Sequence, residues 1–258
     1  MPLVFAGVVP HSPLLIPGVA KEHHALFSKT MASLAELAAE LRAAQPDTVI
    51  ILSPHMAGLD HALTIQVADH ILGDLTEFGD PTASIRLPGA IGLAHRLKTM
   101  AEEQRLPVVS QTPAAADYAV VITSIILGLD TFQVPVLPLG VGHLSAADVL
   151  RLGALLNEFS HVRPERLALI ATADLTRRKE SGTANRRPTK EERTITAALT
   201  DTDPAPVAAL IGRSKTCGIQ PITALLASVQ PHRSRGTIRS FEAPLGVGQM
   251  VADLAIGP

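Results

Sequence analysis

The sequence predicts a single α/β domain covering residues 1–258, with a central, mostly parallel or mixed sheet flanked by helices. Short apolar runs rich in Val, Ile and Leu alternate with longer segments of helical periodicity, and no linker or internal repeat divides them. Runs that are apolar throughout are typical of strands buried on both faces of a parallel sheet. The 258 residues are enough for one large domain of this kind.

Composition and charge exclude several classes of protein. The chain is 47% hydrophobic with a mean hydropathy of +0.27, which indicates a packed core rather than disorder. A net charge of −2 gives no electrostatic basis for binding nucleic acid or an anionic membrane. A single cysteine excludes an internal disulfide. No apolar stretch reaches the roughly 18 residues of a membrane span, and the N-terminus lacks the basic start of a signal peptide. We therefore expect a cytoplasmic protein with no nucleic-acid or membrane partner.

The first two predicted strands end in the same way. Residues 3–9 are followed by a Pro-His pair that ends at His11, and residues 48–52 by a Ser-Pro-His sequence that ends at His55. Ligands bind outside the carboxyl ends of the strands in open α/β sheets. We therefore expect the two imidazoles to converge at the ends of neighbouring strands and to share one metal ion. The alternative is that each is an ordinary strand-end histidine bonded to backbone.

The remaining elements follow from the same periodicities and from turn residues. We expect helices at 27–41, 88–105, 119–129, 145–159 and 222–229, strands at 62–67, 106–109, 134–140, 167–172, 237–241 and 247–255, and loops at 73–81 and 177–193. Two prolines within 134–140 indicate an edge strand or a bulge. The helix at 145 is expected to be capped by Ser145, with Asp148 three residues later.

Six segments, in order and spanning nearly the whole chain, resemble the class III extradiol ring-cleavage dioxygenase superfamily. They lie at 7–17 (Gly-Val-Val-Pro-His-Ser-Pro-Leu-Leu-Ile-Pro), 46–55, 73–79, 173–176, 217–221 and 241–248. The resemblance implies the LigB-like α/β fold that the catalytic members of that superfamily share. It also implies ring cleavage of catechol-type aromatic substrates at a non-haem Fe(II) centre, and a homodimer or a complex with a second kind of chain.

The metal ligands that the resemblance implies are only partly present. Superfamily members hold Fe(II) with two histidines and a glutamate, an arrangement that leaves positions open for substrate and O₂. His11 and His55 match the two histidines. The glutamate is expected at or just before a Cys-Gly pair, and this chain has Thr216 and Cys217 there. Threonine is a poor ligand, whereas an ionised cysteine is a good one.

Two further chemical positions also differ from the superfamily. The acid–base histidine of an Asp-Leu-Ser-His sequence corresponds here to Arg177, in the sequence that begins at Asp174, and a third active-site histidine corresponds to Tyr118. Arginine stays charged at any accessible pH and cannot act as a base. By the resemblance, Asp174, Arg177 and Tyr118 occupy active-site positions of the superfamily, but the acid–base histidine is missing. We therefore expect slow or no cleavage of simple catechols with added Fe(II).

Three interpretations of Cys217 remain open. The related Memo family uses two histidines and a cysteine for metal, and its Cys-Gly-x-x-Pro-Ile sequence resembles residues 217–222. By this resemblance His11, His55 and Cys217 would hold copper or zinc rather than Fe(II), and the start of the following helix would lower the pKa of the thiol. The second interpretation is a non-catalytic subunit that has kept the scaffold without metal. The third is an inert buried thiol.

Several other polar residues give weaker signals. His143 follows a strand end and is a spare candidate for the pocket, whereas His23 and His24 are expected to be exposed near the first helix. The basic loop that starts at Arg177 is either a solvated surface or a recognition element for a substrate carboxylate.

Overall fold

The computed structural model describes residues 3–162, 164–178, 185–232 and 235–256. Its strands are β1 (Leu3–Val9), β2 (Thr48–Ser53), β3 (Leu63–Gln66), β4 (His70–Leu75), β5 (Asp80–Pro88), β6 (Val108–Gln111), β7 (Val136–Gly140), β8 (Leu167–Thr172), β9 (Asp174–Arg177), β10 (Gly236–Glu242) and β11 (Val247–Leu254). Its helices are α1 (Pro17–Ala20), α2 (Ser28–Ala43), α3 (Ile91–Glu103), α4 (Tyr118–Leu127), α5 (Leu129–Phe132), α6 (Ala146–His161), α7 (Lys190–Asp201), α8 (Ala205–Ala208) and α9 (Ile219–Val229). None of these helices is both long and apolar enough to cross a membrane.

A large mixed sheet forms the centre of the molecule, which confirms the predicted fold class. Its strand order is β10-β11-β1-β8-β2-β7-β3-β6, with β9 paired to β11. The four inner strands β1, β8, β2 and β7 are mutually parallel, and β11 and β3 flank them in the antiparallel direction. β4 and β5 form a separate antiparallel pair.

Helices cover both faces of the sheet because the inner strands are apolar on both sides. In β2, Val49 and Ile51 pack into the cluster that contains α2 and α4, whereas Ile50 and Leu52 pack into the cluster that contains α3, α6 and α9. All four side chains are buried. This two-sided burial is why β2 has no polar alternation in its sequence.

The expected loop at 73–81 is wrong. Residues 70–75 and 80–88 are paired strands, joined by a turn with Gly79 in the left-handed region at φ +87°. The segment contains few β-branched residues and its ends are polar, so its sequence has only a weak strand periodicity. Pairing between the two strands determines its structure instead.

The segment 134–140 is a strand, but it is not at an edge. β7 lies between β2 and β3. Val141 donates its N–H to β2, whereas Val136 accepts from Ala90 on the opposite side. The backbone N–H and C=O groups of successive residues in a strand point alternately to the two sides of that strand. The backbone nitrogen of Pro138 therefore points to the same side as the carbonyl of Val136, away from β2. There β3 pairs only with the last two residues of β7, so the missing N–H costs no ladder bond.

The segment 177–193 is more ordered than the expected exposed loop. Arg177 ends β9, and α7 begins at Lys190 with a capping box between Thr189 and Glu192. Arg186 is buried against Glu192. Residues 179–184 of this predicted loop lie outside the described residues.

Candidate metal centre

His11 and His55 lie just beyond the carboxyl ends of β1 and β2. Their Nε2 atoms are 3.2 Å apart and their rings meet edge to face. The predicted convergence of the two rings is confirmed. The expectation of neighbouring strands is wrong, because β8 runs between β1 and β2. The two rings meet over the end of β8, where Thr172 contacts His11.

Cys217 completes a compact group of three donor atoms. Its Sγ lies 3.4 Å from His11 Nε2, and the three potential ligand atoms all lie within 4.8 Å of one another. Cys217 occupies the turn before α9, and Gly218 lets that turn pack closely on the main sheet. A Cβ at Gly218 would lie 2.3 Å from the Cβ of Ala173. The small residue at 218 therefore brings the sulfur to the histidines.

Hydrogen bonds fix the orientation of His11. Its backbone N–H donates to Asp174 Oδ1 at 3.0 Å, and its ring Nδ1 lies 3.0 Å from Thr172 Oγ1. The hydroxyl of Thr123 in turn donates to Thr172 at 2.8 Å. With the proton on Nδ1, the ring donates to Thr172 and directs the Nε2 lone pair towards His55 and Cys217. Support of this kind is typical of histidines that bind metal.

His55 is supported by two residues that the sequence did not single out as a pair. Its backbone N–H donates to Ser53 Oγ at 3.2 Å, and that hydroxyl donates to Asp117 Oδ1 at 3.0 Å. Asp117 also caps α4 by accepting from Ala119 N at 2.8 Å. The Tyr118 ring stacks on His55 at 4.8 Å. An acidic residue directly before an apolar helix was the available signal for this cap.

Burial keeps both imidazoles neutral. It lowers the pKa of His11 to about 3. Burial, together with the neighbouring His11, lowers the pKa of His55 to about 4. At neutral pH both rings therefore carry a free lone pair, which metal coordination requires.

Burial raises the pKa of the Cys217 thiol to about 12, and the nearby Asp174 adds to the effect. The expectation that α9 would lower this pKa is wrong. The sulfur precedes the helix by two residues and donates to the Asp174 carbonyl at 3.4 Å. Desolvation of the thiolate by burial is the largest cause of the raised pKa. A coordinated cation would compensate the thiolate charge that the protein alone does not.

The other predicted site residues surround the centre in different ways. Burial raises the pKa of Asp174 to about 6 and also raises the pKa of Tyr118. Both residues, with Arg177, line a cavity of about 230 Å³ beside the histidines and Cys217. The three predicted family positions are thus brought to one cavity.

Four residues from the sequence analysis are not in that cavity. Thr216 is buried and donates its hydroxyl to Glu191. His143 lies 3.3 Å from Asp60 and does not line the cavity, so its selection as a spare pocket residue is wrong. His23 and His24 lie in a short 3-10 helix and are half-buried rather than exposed.

Fold and site together define an α/β protein with two histidines and a cysteine gathered at the carboxyl ends of its parallel strands. The chain belongs to the family described as the catalytic LigB subunit of aromatic ring-opening dioxygenase, whose model matches residues 6–205.

The chain is also similar to two proteins whose names state no activity. Protein CA_C1420 of Clostridium acetobutylicum is 22% identical over 96% of this chain, and the chain spans 56% of that relative's length. The crystal structure of the uncharacterized protein JW3007 from Escherichia coli K12 has a TM-score of 0.68 at 14% identity, covering 97% of this chain and 99% of the other. This second likeness supports the fold alone.

Proposed function

We propose that the protein is a metal-dependent member of the LigB family. In this proposal His11, His55 and Cys217 hold one copper or zinc ion, and that ion binds and activates a small molecule. The convergence of these three donor atoms within 4.8 Å carries the proposal. Metal–nitrogen bonds of about 2.0–2.1 Å and metal–sulfur bonds of about 2.3 Å fit a group of this size after small adjustments.

The chemistry of the donor set favours a soft ion. Neutral imidazoles and a thiolate suit copper and zinc, whereas a carboxylate-containing set suits Fe(II). Among the described residues no carboxylate joins the three donors. Asp174, the acid that contacts His11, already accepts the backbone N–H of that residue.

A bound ion would supply Lewis acidity and an open coordination position at the cavity. The chain's own residues would do the rest. Thr172 and Asp174 hold His11 in place, and Tyr118 stacks on His55 and limits access of water to that ring.

Metal analysis of protein purified without chelators tests the proposal. We expect about one copper or zinc ion per chain and little iron. Stoichiometric iron would contradict the choice of metal. Protein that stays metal-free after incubation with Cu(I), Cu(II) and Zn²⁺ would contradict the metal site and favour a non-catalytic subunit.

Ring cleavage of catechols by an Fe(II) form is the second candidate, and membership of the family favours it. Against it, Arg177 and Tyr118 occupy the positions where the family carries histidines. We expect no yellow ring-fission product at ordinary enzyme rates of about 1–10³ s⁻¹ when protocatechuate or catechol is supplied with Fe(II) and O₂. Product formation at such rates would establish dioxygenase activity and would show that a residue other than Arg177 or Tyr118 acts as the base.

A further inference from the structure

Three cationic side chains surround the opening of the candidate metal centre. Arg177 and Lys215 line the 230 Å³ cavity and also a second cavity of about 590 Å³, which Arg213 lines as well. The two cavities therefore adjoin, with Arg177 and Lys215 between them. We call Arg177, Arg213 and Lys215 the cationic rim.

The side chains of the cationic rim form no salt bridge within the described part of the chain, although Arg177 interacts electrostatically with the buried Asp174, which lines the smaller cavity. All three side chains are exposed, and none has a carboxylate within ion-pair distance there. Among the described residues lining the second cavity, the one carboxylate is Glu191, which accepts hydrogen bonds from the hydroxyls of Ser214 and Thr216. Since the whole chain has a net charge of −2, this is a local concentration of positive charge.

The first turn of α7 holds both sides of the rim. On one side, Arg186 is ion-paired with the buried Glu192 and donates to the carbonyl of Thr176 at 2.7 Å, next to Arg177. On the other side, Glu191 accepts from the two residues that flank Lys215. The backbone that carries the cations is therefore fixed before any ligand arrives, which reduces the entropy lost on binding.

We propose that the cationic rim is an oxyanion subsite, so that the ligand of the metal centre is a small molecule carrying a carboxylate or phosphate group. The guanidinium of Arg177 can bind either group in a bidentate manner, and Lys215 adds a point charge. The rest of the ligand would occupy the smaller cavity beside His11, His55 and Tyr118. This inference rests on the proposed function, which places the other end of the ligand at the metal ion.

Calorimetric titration with benzoate and with inorganic phosphate tests the subsite, using metal-free and zinc-loaded protein. We expect Arg177→Ala and Lys215→Ala each to weaken binding of the preferred anion about tenfold, equivalent to about 1.4 kcal/mol. Arg177→Lys should retain part of the affinity because it keeps the charge but loses the planar fork. Raising the salt concentration should weaken anion binding, and the neutral probe benzyl alcohol should bind without dependence on either side chain.

Arg86→Ala is the matched control, since Arg86 is an exposed arginine of β5 that lines neither cavity. It should bind both anions like the wild type. The preferred probe, benzoate or phosphate, identifies the anion. Equal binding by wild type, Arg177→Ala and Lys215→Ala would overturn the subsite, as would failure of both anions to bind.

The two proposals fail separately. Rim-dependent binding of an anion by a protein that takes up no metal would contradict the proposed function and leave the subsite standing. A protein that binds zinc stoichiometrically, with anion binding indifferent to Arg177 and Lys215, would contradict the subsite alone.

Discussion

The Nε2 atoms of His11 and His55 lie 3.2 Å apart, although 44 residues separate them in sequence. If both rings are ligands, replacing either should remove the ion. We expect His11→Ala to lose at least about 90% of bound zinc, measured by mass spectrometry after gel filtration, because two remaining donors rarely retain zinc. His143→Ala is the control, and its metal content should match the wild type.

Replacing the sulfur distinguishes a ligand from an inert buried thiol. We expect Cys217→Ser to weaken zinc binding by at least about tenfold, since even changes behind the direct ligands cost about 10–100-fold. The circular dichroism spectrum of the metal-free protein should be unchanged. If metal content stays the same while His11→Ala loses the ion, the centre uses two histidines and Cys217 only packs.

Gly218 is expected to tolerate no side chain. The added Cβ of Gly218→Ala would lie 2.3 Å from Ala173 Cβ and 2.9 Å from its Cα. We expect a loss of about 1–3 kcal/mol in the free energy of unfolding, measured with urea. Gly92→Ala, in α3 where the nearest atom would be 3.5 Å away, should be neutral or stabilising by up to about 1 kcal/mol. Equal effects from both substitutions would contradict the close approach.

The buried ion pair of Arg186 and Glu192 should make stability depend on pH. Burial alone would raise the pKa of Glu192, but hydrogen bonds from Arg186 and Thr189 outweigh it, and the net pKa is lowered. The stabilisation is therefore fully present above the ordinary glutamate pKa of the unfolded chain, and it is lost as pH falls through the lower pKa of the folded state. Urea unfolding measured from pH 7 downwards should show this loss, and Glu192→Gln should remove that part of the pH dependence.

The same pair should matter at neutral pH. Glu192 is fully buried and Arg186 nearly so. We expect Glu192→Gln to destabilise the protein by up to about 3–5 kcal/mol, because the arginine charge is left buried without its partner. Glu102→Gln, which breaks the exposed pair with Lys98, should cost less than about 1 kcal/mol. A similar small cost at both sites would mean that water solvates Arg186.

Sequence patterns were sufficient where the signal is local. The Pro-His endings after apolar runs predicted His11 and His55, and Ser145 predicted the start of α6, where its side chain accepts from Asp148 N. Partners far apart in sequence were not accessible in this way. Ser53 and Asp117 are 64 residues apart, and neither pattern indicates the other. The position of β8 between β1 and β2 likewise depends on pairing across the whole sheet.

Cys217 lies 206 residues from His11 in sequence. An ion bound by both residues would therefore cross-link two segments that are far apart along the chain. Such an ion binds the native chain and not the unfolded one, and by mass action its presence at 100 times its dissociation constant would add about 2.7 kcal/mol to the free energy of unfolding. The melting temperature would then rise with zinc concentration in the wild type and stay constant in His11→Ala. Under this linkage, cells short of the metal would hold a less stable protein.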